Sequence, residues 1–224
     1  MNPYYAQKLS AESLEQCYKL APPRVKKYLE AETDFVLERI KANDIVLELG
    51  CGYGRIFPKL LTKAKAVFGI DNSFLSLGYA KKIFHKSGSI YLAEMNAANL
   101  GFKDKVFDAV ICIQNGLSAF KVDQQKLVDE AIRVARKGGQ VFFSSYSEKF
   151  WDHRLEWFQI QSEHNLIGEI DYKKTGNGVI VCKDGFKAVT ISKDDFISLT
   201  SSTGFIPDVV EVDNSSIFCL LEVK

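Results

Sequence analysis

Residues Val46 to Ile56, Val-Leu-Glu-Leu-Gly-Cys-Gly-Tyr-Gly-Arg-Ile, limit the fold of this chain more than any other stretch. An apolar run that stops at Gly50 and resumes at Ile56 reads as a buried strand, a glycine turn and a helix. Glycine tolerates positive φ and lets a ligand approach the backbone closely. The helix that follows offers unpaired N–H groups and the positive end of its dipole. A second apolar run, Ala66–Ile70, ends at Asp71, 21 residues after Gly50. An acid at that distance, on the next strand, can accept hydrogen bonds from ribose hydroxyls. The segment therefore predicts a site for a nucleoside-containing ligand. A dinucleotide site uses G-x-G-x-x-G; here the third glycine comes one position early and Arg55 occupies the late position.

The wider pattern alternates. Helices are predicted near 10–20, 22–40, 55–63, 73–85, 123–136 and 193–203. Strands are predicted near 45–49, 66–70, 89–93, 108–113, 140–145, 207–212 and 216–223. Short, continuous apolar strands between helices indicate a mostly parallel sheet covered on both faces. Pro22-Pro23 fits a helix start, and Ser192-Lys193-Asp194-Asp195 opens another. The last two strands, separated by Asp213-Asn214-Ser215, read as an antiparallel hairpin at the edge of the sheet.

Five segments in order carry a resemblance to the class I S-adenosylmethionine-dependent methyltransferases. They are the Glu48 to Gly54 loop, Gly69–Ser73, Asn96–Phe102, Phe107–Gly116 and Arg136–Phe143. They cover residues 45–146. The sequence departs from the family pattern at Asn96, usually Asp, at Gly101, usually Pro, and at Lys137, usually Pro. The resemblance implies a Rossmann-like, doubly wound α/β fold: a seven-stranded, mostly parallel sheet with an antiparallel C-terminal hairpin. It implies S-adenosyl-L-methionine as cofactor. The cofactor-binding residues implied are Glu48, Gly50, Cys51, Gly52, Gly54, Asp71, Asn72, Asn96, Ala97, Gln114 and Asn115. Tyr4 and Tyr5 are candidates to fold over the cofactor, and Arg24 to pair with its carboxylate.

The expected organisation is one methyltransferase domain over 1–224. Residues 1–44 are N-terminal helices, 45–146 the cofactor-binding core, 147–192 an insertion, and 193–224 a helix and hairpin that complete the sheet. The insertion holds both tryptophans, Trp151 and Trp157, and two of three histidines, His153 and His164. It reads as an aromatic helix followed by antiparallel strands. Ligands in open α/β sheets lie beyond the carboxyl ends of the strands, so an insertion after the fifth strand is placed to act as a lid; a decorative or dimerising role is the alternative. His153 and Tyr146 are the candidate catalytic proton acceptors.

With 29 basic and 28 acidic side chains, the net charge of +1 provides no footprint for nucleic acid. Gln114-Asn115-Gly116-Leu117 lacks the Pro-Pro-aromatic pattern of enzymes that methylate nucleobase amino groups. A small-molecule acceptor at N, O or C is expected, with protein or RNA methylation, or a non-catalytic S-adenosylmethionine-binding module, as alternatives. Five scattered cysteines and the absence of a signal-like start predict free thiols in the cytoplasm. No apolar run approaches the ~20 residues that span a bilayer, and no metal-ligand spacing occurs.

Overall fold

The structure, a computed structural model, describes Tyr4 and residues 8–224. Its centre is β1 (Ile45–Leu49) and β4 (Phe107–Cys112), the latter buried at every residue. β1 pairs in parallel with β2 (Ala66–Asp71), and β2 with β3 (Ile90–Glu94). On the other side β4 pairs in parallel with β5 (Ala135–Tyr146). β9 (Ser216–Glu222) then joins β5 antiparallel, and β8 (Asp208–Val212) closes the edge. The order is β3-β2-β1-β4-β5-β9-β8. This is the doubly wound seven-stranded sheet with a C-terminal antiparallel pair that the sequence predicts.

Helices cover both faces. α2 (Pro23–Arg39), α3 (Phe57–Leu60) and α4 (Phe74–Ile83) present Phe35, Val36, Phe57, Leu60 and Leu77 to Val46, Val67, Ala109 and Phe142. α6 (Gln124–Val134) and α8 (Lys193–Thr200) present Leu127, Ala131 and Phe196 to Leu47, Val110 and Val141 on the opposite face. Their starts follow the expected chemistry. Ser73 accepts from Ser76 N, Asp123 accepts from Lys126 N, and Ser192 with Asp195 forms a reciprocal capping box.

Two boundaries differ from expectation. The helix after the glycine turn is a single turn, Phe57–Leu60, rather than 55–63. Gly50, Gly52 and Gly54 all take positive φ, so the chain cannot wind right-handed until Ile56, and Ala64 N–H closes on Leu60 O as the chain leaves for β2. β5 starts five residues early. Phe107 pairs with Ala135, and the register then jumps to Ala109 with Gln140. Gly139 sits where a Cβ would lie 2.8 Å from Arg136 O and 3.0 Å from Asp108 O, so only glycine lets the bulge close.

A third cluster lies over the carboxyl ends of the strands. α1 (Ala11–Lys19) and the first half of α2 supply Cys17, Ala21, Val25, Tyr28 and Leu29. They meet Trp157 and Phe158 of α7 (Trp151–Glu163), with Ile180, Phe186 and Ala188 of the hairpin β6 (Val179–Val181) and β7 (Lys187–Val189). α5 (Gly116–Ala119) lies beneath β7, where Ser118 Oγ accepts from Val189 N at 3.2 Å. The five cysteines are free and buried. Among the described residues, no helix is long and apolar enough to cross a membrane, and no cluster of potential metal ligands occurs.

Candidate functional site

A buried cavity opens between the carboxyl ends of β1, β2, β4 and β5 and the third cluster. Its floor is the glycine turn. Gly50 N and Cys51 N both donate to Ile70 O, at 2.8 and 2.9 Å, which ties the turn to β2. Asp71 completes the tie: Oδ2 accepts from Gly52 N and Oδ1 from Ser73 N, each at 2.8 Å. Burial raises the Asp71 carboxyl, and those backbone hydrogen bonds oppose the rise. Each oxygen retains a lone pair for an incoming donor. Asn72 follows on the cavity wall.

An acid and a base line the same space. Glu48, at the end of β1, is 8% exposed, and among the described residues its Oε2 has no hydrogen-bond partner. Desolvation pushes its carboxyl up to about 8, with the Arg55 guanidinium pulling the other way. Arg55 lies 4.7 Å over the Tyr18 ring, and its buried Nη2 also lacks a partner among the described residues. Stranded polar atoms of this kind are costly unless something pairs them. A ligand carrying both an ammonium and a carboxylate would satisfy the two at once.

The turn after β4 is held from behind. Gln114 and Asn115 both take left-handed backbone. Gln114 N donates to Ser144 Oγ at 2.8 Å and to Glu32 Oε2 at 3.0 Å, while its Oε1 accepts from Tyr18 Oη. Glu32 is fully buried, and burial pushes its carboxyl up to about 7 against the hydrogen bonds from Ser144, Ser216 and Gln114.

Of the residues singled out from sequence, Glu48, Gly50, Cys51, Gly52, Asp71, Asn72, Gln114 and Tyr146 line the cavity. Five do not. Gly54 belongs to the turn, but its α-carbon packs against the Phe57 and Phe84 rings. Asn96 spends its Oδ1 on Ala98 N in the turn after β3, and Ala97 packs into the sheet-face core. Asn115 uses both ends of its amide, donating to Val189 O and accepting from Ser145 Oγ, so it fastens the hairpin to the sheet. His153 is half exposed on the outside of α7, with Glu156 3.8 Å away. It is no neighbour of the cavity. Tyr146 does face the cavity, yet burial holds its hydroxyl protonated, with Arg154 opposing. That makes it a donor there rather than a base.

Arg24 is occupied by Asp213, at 2.7 Å. Tyr4 donates to Asp184 Oδ2 and accepts from Gly168 N beside the hairpin; Tyr5 lies outside the described residues. Sequence reading missed Glu32 and the role of Arg55. Glu32 continues the Val25, Tyr28, Leu29, Val36 stripe at helical spacing. A charge on that stripe was the available signal.

Comparison with known proteins agrees with this geometry. A family described as "Methyltransferase domain" matches residues 46–139. The chain is 29% identical over 142 residues to the ubiquinone/menaquinone biosynthesis C-methyltransferase UbiE of Zymomonas mobilis, covering 61% of this chain and 58% of that protein. It is 36% identical over 99 residues to a phosphatidylethanolamine N-methyltransferase of Cereibacter sphaeroides, covering 43% and 47%. The chain thus spans about half the length of these curated relatives. In fold it is similar to the PH0226 protein of Pyrococcus horikoshii, with a TM-score of 0.66 at 19% identity over 99% of this chain and 96% of that one. The matched segment carries the glycine turn, Asp71 and the β4 turn in order on the shared fold, and residues 46–139 match the methyltransferase-domain family.

Proposed function

We propose that this chain transfers the methyl group of S-adenosyl-L-methionine to a small-molecule acceptor. One observation carries the reading: Glu48 and Arg55 line a single cavity above the glycine turn, and among the described residues Glu48 Oε2 and Arg55 Nη2 are buried without a hydrogen-bond partner. Glu48 would hold the methionyl ammonium and Arg55 the methionyl carboxylate. Asp71 and Asn72, one strand over, would hold the ribose, and the bare backbone of Gly50 and Gly52 would let the chain between them lie close.

When bound, the sulfonium supplies an already activated methyl group. The protein's work is then to place an acceptor in line and keep water out. Tyr18 of α1, Trp157 and Phe158 of α7, and Phe186 supply the apolar roof. Residues 147–192, with α1, would thus act as the lid. Enclosure under this roof and the near-zero net charge favour a small molecule over a polymer. The two relatives named above carry C- and N-methyltransferase names, so the acceptor atom is left open.

Calorimetric titration with S-adenosylhomocysteine tests the reading on wild type, Arg55→Ala and Arg55→Lys. Saturable binding by wild type is expected, at least tenfold weaker in Arg55→Ala and partly restored in Arg55→Lys. Asp71→Ala is a poor first probe because it also releases the glycine turn. Folded protein that binds neither S-adenosylmethionine nor S-adenosylhomocysteine would overturn the assignment. Binding without methyl transfer to any member of a metabolite pool would favour the non-catalytic alternative.

A further inference from the structure

The cavity extends beyond the stretch just assigned. Asp71 closes β2 and Tyr146 closes β5, with β1 and β4 between them. Three strand spacings of about 4.8 Å put these ends about 14 Å apart. At the β5 end the walls become aromatic: Tyr28, Tyr146, Trp157, Phe158 and Phe186 all face the cavity. Most polar atoms on these walls are already committed. Trp157 Nε1 donates to Cys17 O at 2.9 Å, and Tyr18 Oη donates to Gln114.

Two groups remain. The Tyr28 hydroxyl is completely buried beside that of Tyr146 and, among the described residues, makes no other hydrogen bond. Gln161 is 4% exposed and faces the cavity, and among the described residues its side-chain amide makes no hydrogen bond. Gln161 lies one helical turn beyond Trp157 and Phe158, on the same inward stripe of α7.

The charge around this end is equally specific. Aromatic faces attract cations, but the faces here already carry two. Arg154 lies 4.3 Å over Tyr146 and 5.6 Å over Phe158, and Arg55 lies over Tyr18. The nearby Glu32 carboxylate is engaged by Gln114 N and Ser216 Oγ. An ammonium entering this slot would meet like charge and no free carboxylate.

We propose that the β5 end of the cavity is an acceptor subsite for an uncharged aromatic ring carrying an oxygen substituent. Gln161 and Tyr28 are its polar contacts, and the rings of Tyr146, Trp157, Phe158 and Phe186 are its walls. The proposal rests on the cofactor placement above, which leaves this end free. The Gln161 amide can donate to a carbonyl or accept from a hydroxyl, and the Tyr28 hydroxyl can do either. One subsite therefore takes a phenol or a quinone-like carbonyl, and it discriminates against alkylamines and phospholipid headgroup amines.

Equilibrium dialysis with 2-naphthol, catechol and phenethylamine, at pH 7 and saturating S-adenosylhomocysteine, tests this. 2-Naphthol or catechol should bind saturably, with phenethylamine at least tenfold weaker. Gln161→Leu and Tyr28→Phe should each weaken the neutral ligand about fivefold or more. Neither should alter S-adenosylhomocysteine affinity, which doubles as the check that both variants fold. Three results would overturn the subsite: no saturable binding of either neutral probe, phenethylamine binding as tightly as they do, or wild-type affinity in both variants. Calorimetry with S-adenosylhomocysteine alone separates the two readings. Cofactor product bound without 2-naphthol or catechol removes only the subsite. 2-Naphthol bound without cofactor product removes the methyltransferase assignment and leaves an aromatic site.

Discussion

Replacing Glu48 by Gln removes one buried acid without emptying the space it fills. In the folded chain, desolvation holds the Glu48 carboxyl at about 8, against an ordinary value of 4.5. The unfolded chain gives up that proton from pH 4.5 upward, whereas the folded chain keeps it until pH 8. Stability from this group is therefore complete below pH 4.5 and is lost progressively as pH rises towards 8. At about 1.4 kcal/mol per pH unit for one proton, the loss across that window is on the order of 3–5 kcal/mol. Glu48→Gln has no such titration. The unfolding free energy of wild type minus that of the variant should fall by this amount between about pH 5 and pH 8, read from urea titrations at fixed temperature. Glu32 titrates in the same window, since burial pushes it up to about 7. It is present in both proteins and cancels in the difference. A difference that stays flat with pH, or one that grows in favour of wild type, refutes the claim that Glu48 is a desolvated, unpaired carboxyl. The same physics reaches the ligand. An ammonium placed beside Glu48 favours the ionised form, so S-adenosylmethionine binding near pH 7 should release most of one proton. Calorimetry in two buffers of different ionisation heat reads that release, and Glu48→Gln should abolish it.

Three further outcomes are expected. Gly54→Ala forces a side chain onto a φ of +77° and puts its Cβ 2.5 Å from the Phe57 ring; a loss of about 1–3 kcal/mol should show in urea denaturation. Asn115→Ala removes both ties between the β4 turn and the hairpin. It should cost about 1–3 kcal/mol and speed amide exchange at Val189 and Ile191. His153→Ala should leave any methyl-transfer rate and its pH profile unchanged, because the ring lies on the outer face of α7; a lost limb of the profile would show that the histidine reaches the acceptor.

The sheet was readable because buried parallel strands are uninterrupted apolar runs, as Phe107 to Cys112 shows, and because three glycines in alternation have few other uses. The polar side chains were harder to read, for a consistent reason. Asn96 and Asn115 sit beside the expected site, but their amides satisfy local turns and a hairpin, and nothing in residue type separates those tasks from ligand contact. His153 drew attention by its chemistry, yet Arg154, Trp157, Phe158 and Gln161 form the inward stripe of α7. One residue earlier is about 100° round the helix. Gln161 looks like an ordinary solvated helix position until the partner elements are placed, and Glu32 shows only as one charge on an apolar stripe. Those partners come from distant parts of the chain, so no local pattern announces them.

The hydrogen bond from Trp157 Nε1 to Cys17 O joins residues 140 positions apart. At roughly 5–20 residues per second of synthesis, α1 leaves the ribosome about 7–28 s before the helix that will cover it. During that interval the apolar side of α1 and the first half of α2 has no native partner. The roof of the cavity therefore closes late in biosynthesis, just before the C-terminal strands complete the sheet edge. Until it does, an aggregation-prone surface stays open at the same place where the finished protein must keep water out.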